Sequence, residues 1–179
     1  GPREIVRQDS LAVEEPLEIR VGGAPYTTTM RTPGHDIELM HGLLAAEGVI
    51  DTREDVVQAR YCAGSALPED GGPPQNTYNV LDVTLADGLV VPDERRRTHL
   101  TSSACGVCGT TSLDLLAARA RYDLHADHTS VDAGLILRLP DALRAAQRVF
   151  DATGGLHGAG LFTAEGKMLV VTPSSAPMF

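Results

Sequence analysis

Two cysteines two residues apart, in Thr101-Ser102-Ser103-Ala104-Cys105-Gly106-Val107-Cys108-Gly109-Thr110, are the side chains best placed by type and spacing to do chemistry. Small residues on both sides leave the sulfurs open to a large partner, and the glycines let backbone N–H groups turn toward them. The run leads into an expected helix, Ser112 to Ala120, whose free N–H groups would stabilise a thiolate and raise its reactive fraction at neutral pH. Zinc would need four ligands, and there is no second pair at this spacing; Cys62 and a histidine could complete the set, but nothing in the spacing demands it. An iron–sulfur cluster would need thiolates from two copies of the chain. A thioredoxin-like redox site lacks the strand-to-helix entry of a βαβ unit. An inert turn and nucleophilic sulfur chemistry, in which one cysteine accepts a sulfur atom and passes it on, complete the list.

His157 is the next candidate. In Thr153-Gly154-Gly155-Leu156-His157-Gly158-Ala159 it follows an expected helix stop and precedes an expected strand, where a side chain either faces a cleft or is held by structural hydrogen bonds. A histidine with a cysteine pair brings zinc nucleobase deaminases to mind, but those need a glutamate two residues after the histidine as proton shuttle. Here that position is Ala159, and the order along the chain is reversed, so deamination is not expected. His35, His41, His99, His125 and His128 read as surface residues, and Cys62 as a small buried apolar one. The run Arg95-Arg96-Arg97 beside Asp93 and Glu94 reads as a solvated loop, with an anion contact as its functional alternative.

These residues must be held by a folded core, and the composition supplies one. The 179 residues are 42% hydrophobic and 22% charged, with 15 basic against 24 acidic side chains and a net charge of −9. A chain of this length buries enough surface to fold without disulfides or structural metal. The negative balance disfavours general binding to nucleic acid or anionic membranes. No apolar run is long enough to span a bilayer and no secretory leader is evident, so the cytoplasm is the expected compartment and the three cysteines are expected to be reduced. Gly1-Pro2 reads as the remnant of a cleaved tag, residues 1–9 as a flexible N-terminus, and 10–179 as a single domain.

The elements follow from periodicity. Alternation over Glu15 to Val21, then Gly22-Gly23, then strand formers from Tyr26 to Met30 predicts a β-hairpin. Thr32-Pro33 predicts a helix start, with residues 33–46 helical through Ile37, Met40, Leu43 and Leu44 and stopped at Gly48. Strands are expected from Val56 to Cys62 and within Thr77 to Leu85, joined by a loop containing Gly71-Gly72-Pro73-Pro74. Thr98 to Ala104 should be extended. Pro140 should open a helix carrying Leu143, Ala146, Val149 and Phe150 and ending at Gly154-Gly155. Ala159 to Thr163 and Met168 to Val171 should form a hairpin around Ala164-Glu165-Gly166. The class is α+β or α/β, a mixed sheet covered by helices.

Several of these segments carry a resemblance. Leu11 to Ile19, Met30-Arg31-Thr32-Pro33-Gly34, Gly42 to Ile50, Ser103 to Gly109 and Thr153 to His157, in this order, are similar to the formate dehydrogenase accessory sulfurtransferases, the FdhD family. The resemblance runs from about residue 10 to 171. It implies a cytidine deaminase-like fold and a homodimer. It also implies a function: taking persulfide sulfur from a cysteine desulfurase and passing it to the molybdenum (or tungsten) bis-guanine-dinucleotide cofactor destined for formate dehydrogenase. On this chain Cys105 would bear the persulfide and Cys108 would be its auxiliary partner. The cofactor is the acceptor substrate rather than a tightly bound group, and a guanine nucleotide could mimic it. Its phosphates would favour arginine, which makes Arg31 and the 95–97 run expected contacts, with His157 lining the pocket. A chaperone that binds cofactor or dehydrogenase without moving sulfur is the rival reading, and a zinc-stabilised dimer a third. Family members continue beyond the strand ending at Val171 with further motifs, whereas this sequence runs from Thr172 to Phe179, so it is expected to be incomplete relative to the family.

Overall fold

The computed structural model describes residues 9–62, 65–66, 75–76, 78–91, 100–101, 126–155 and 157–174. They fall into two compact units, one within residues 14–126 and the other made of 127–174 together with 9–13. Both mix strands and helices, so the chain is α+β.

In the first unit, β1 (Glu15–Val21) and β2 (Ala24–Arg31) pair antiparallel. Gly22 and Gly23 both take positive φ, 62° and 78°. That is the backbone of a type I′ turn, whose twist matches the strands it joins and which glycine adopts without penalty. β3 (Val56–Cys62) pairs antiparallel with β6 (Val80–Leu85), and β6 lies parallel to β1. β7 (Leu100–Thr101) lies parallel to β2, and the resulting mixed sheet runs β3-β6-β1-β2-β7. Between β3 and β6, two short strands, β4 (Ser65–Ala66) and β5 (Gln75–Asn76), pair with each other inside the segment expected to be a loop.

Alternation puts Leu17, Ile19 and Val21 of β1 and Leu81 and Val83 of β6 on one face. Helix α1 (Asp36–Ala46) covers it with Leu39, Met40, Leu43 and Leu44, joined by Tyr26, Val49, Ile50 and Val91. Leu39 takes the inward position that the sequence pattern gave to Ile37, which is exposed. The helix also starts later than expected. Gly34 at φ 121° turns the chain, so Thr32 and Pro33 belong to the corner and His35 is the N-cap, without a side-chain cap bond. The other end is as expected: Gly48 is left-handed (φ 64°), its N–H bonds to the Ala45 carbonyl at 3.0 Å, and the Val49 N–H reaches back to Leu44 at 2.8 Å. This is a Schellman close, with buried Val49 against buried Leu44 as its apolar seal.

In the second unit, α2 (Ala133–Ala146) is capped by Asp132, whose Oδ1 accepts from the Leu135 N–H at 2.9 Å. Pro140 lies inside this helix rather than opening it. The Asp132 cap nucleates the helix two turns earlier, and the missing proline N–H costs one bond in mid-helix. The chain breaks at Gln147 (φ −97°, ψ 73°), continues as α3 (Arg148–Thr153), and stops at left-handed Gly154. β8 (His157–Phe162) and β9 (Met168–Ser174) then form the expected hairpin, with Gly166 at φ 86° in its turn. The expected helix from Ser112 to Ala120, the Gly71 to Pro74 run and Arg95-Arg96-Arg97 lie outside the described residues.

Candidate functional site

Arg31 ends β2 and Asp36 begins α1, so the corner between them brings two charges together where the sheet meets its helix. Each is only 4% exposed. Arg31 Nε stands 3.0 Å from Asp36 Oδ1, an ion-pair contact outside hydrogen-bond geometry. Its Nη1 donates to Glu15 Oε2 at 2.9 Å, and its Nη2 to Asn79 Oδ1 at 3.1 Å. Glu15 is the residue that pairs with Arg31 across the hairpin, so strand register alone supplies this partner. The hydroxyl of Tyr61, on β3, donates to Asp36 Oδ2 at 3.1 Å. Burial, then the Asp36 charge and that hydrogen bond, hold the Tyr61 phenol above its ordinary range. A buried cation with two carboxylates and an amide around it is compensated in place. The guanidinium expected to meet an incoming phosphate is therefore also a brace between β1, β2, α1 and the chain leading into β6.

The opposite face of the sheet is ionic. Arg20 Nε meets Glu18 Oε1 at 2.6 Å, and Arg60 Nη2 lies 3.7 Å from Asp82 Oδ2. Cys62, at the end of β3, is half-buried and within electrostatic reach of Arg20 rather than sealed in the core. It pairs with Val80, two positions from Asp82, so its place in the register puts it on the charged face. Of the histidines, His35 and His128 are exposed, and His41 Nδ1 lies 2.8 Å from the Ile37 carbonyl. His99 and His125 lie outside the described residues.

His157 opens β8 in the second unit, opposite Ser174 of β9. Beside it, a Cβ on Gly158 would overlap the carboxamide of Gln147. Cys105 and Cys108 lie outside the described residues. The described chain reaches Thr101, four residues before Cys105 in sequence, where β7 is pinned to Thr28 and Thr29 of β2. β7 runs parallel to β2 in this register. Among the described residues no cluster of three or more His, Cys, Asp or Glu side chains could hold a metal ion. No helix among them is long and apolar enough to cross a membrane.

Comparison with known proteins decides the ancestry. The FdhD/NarQ family model matches residues 12–173. The chain belongs to the FdhD/NarQ family. A sulfur carrier protein FdhD of Mycolicibacterium paratuberculosis is 55% identical over 168 residues, covering 93% of this chain and 60% of that protein. One from Nocardia farcinica is 55% identical, covering 94% and 57%. One from Streptomyces avermitilis is 48% identical, covering 91% and 57%. The chain thus spans somewhat over half the length of these FdhD relatives. The FdhD/NarQ match includes the Arg31 corner, the cysteine pair and the start of β8 within one span.

The partners of Arg31 escaped sequence reasoning. Asp36 had a usable signal, a charge of opposite sign five residues after Arg31 across a Pro-Gly corner. Tyr61 and Asn79 had none, because only the pairing of β3 and β6 with the rest of the sheet brings them to that end.

Proposed function

We propose that the protein is a sulfur carrier that works through a persulfide on Cys105, with Cys108 as auxiliary thiol. The observation that carries the reading is the match of nearly the whole chain to a family whose curated relatives are named sulfur carrier proteins, with the Cys-Gly-Val-Cys-Gly run inside the matched span. In the uptake step the Cys105 thiolate attacks the outer sulfur of a persulfide on a cysteine desulfurase. A new S–S bond forms on Cys105, the donor's S–S bond breaks, and the donor cysteine leaves as thiolate, so no external oxidant is needed. The acceptor substrate is the molybdenum bis-guanine-dinucleotide cofactor on its way to formate dehydrogenase. The setting is the cytoplasm, where thiols stay reduced, and the working form is a homodimer with a cytidine deaminase-like fold. His157 and Arg31 are each proposed, within their own units, as contacts for the cofactor.

The test is to incubate the protein with a cysteine desulfurase and cysteine and to measure the mass of the peptide holding Cys105. A gain of one sulfur atom, about 32 Da, is expected on that peptide and should vanish in Cys105→Ala. A full gain in Cys105→Ala overturns the assignment. Restoration of formate dehydrogenase activity by Cys105→Ala in a deletion strain would favour a chaperone that moves no sulfur.

A further inference from the structure

We draw no further inference here: the strongest candidate, the apolar face of the β8–β9 hairpin that holds the paired and exposed Leu161 and Val170 on the side turned from helix α2, carries nothing because nothing among the described residues shows what covers it.

Discussion

Arg31 keeps its charge in the interior because three side chains from three parts of the chain come to it. Asp36 is the most exacting of them, being as buried as Arg31 itself. Asp36→Ala leaves the guanidinium with Glu15 and Asn79 but no buried anion, and should cost on the order of 3 kcal/mol in urea unfolding. Asp36→Asn, which keeps a hydrogen-bond acceptor, should cost less. Tyr61→Phe removes one hydrogen bond from the same carboxylate and should cost about 1 kcal/mol. Its pH signature is separate. The folded phenol titrates above the ordinary tyrosine value of 10.0, so its contribution is complete below that pH and is lost as pH rises through the raised folded value. Stability of wild type should therefore fall above pH 10 more steeply than that of Tyr61→Phe, although solvent at this 45% exposed side chain will mute the difference. Identical alkaline profiles would show that the hydroxyl is not coupled to Asp36. Beyond Arg31 itself the sequence offered Asp36 across the Pro-Gly corner and Glu15 across the hairpin; Tyr61 and Asn79 were hidden, because their approach reports on tertiary pairing rather than on spacing.

At the scale of elements, the sequence was most readable where a backbone needs a particular residue. Gly22-Gly23, Gly48, Gly154 and Gly166 each take the left-handed conformation at the turn or helix stop where the pattern put one. Gly48→Ala should cost about 1 kcal/mol, measurable by thermal or urea unfolding, because it forces a Cβ into that conformation at a buried helix end. No loss would mean that the Schellman close is dispensable. Reading failed where two signals competed. At Thr32-Pro33 the cap-and-proline pattern lost to Gly34, whose φ sends the chain round a corner before the helix can begin. The sequence pattern places a helix opening at Pro140 because that is where proline costs least, but Asp132 offers a stronger cap eight residues earlier and the helix absorbs the lost bond. The interruption at Gln147 was equally hidden.

The whole molecule divides its stability unevenly. Every buried apolar side chain among the described residues belongs to the stretch from Leu17 to Val91, while α2 and α3 contain none. Amides of β1, β2, β6 and α1 should therefore exchange with deuterium more slowly than those of α2, α3 and the β8–β9 hairpin, which open at lower free energy. Uniform protection along the chain would contradict that division. The family was legible from several short motifs in a fixed order, the cysteine pair among them, and these owe their visibility to local composition and needed no knowledge of packing.

The hairpin at the start of the chain has one further property. Glu18 pairs with Val80, and Thr28 with Leu100, so the neighbours on both sides of the first two strands lie more than sixty residues downstream. A ribosome must therefore release most of this segment before either flank of the hairpin is covered. Closing loops of this length is slow relative to local pairing even though its equilibrium cost is modest. Until then two rows of backbone donors and acceptors stand open to other nascent chains, which makes early translation the interval in which mispairing of these two strands is least opposed.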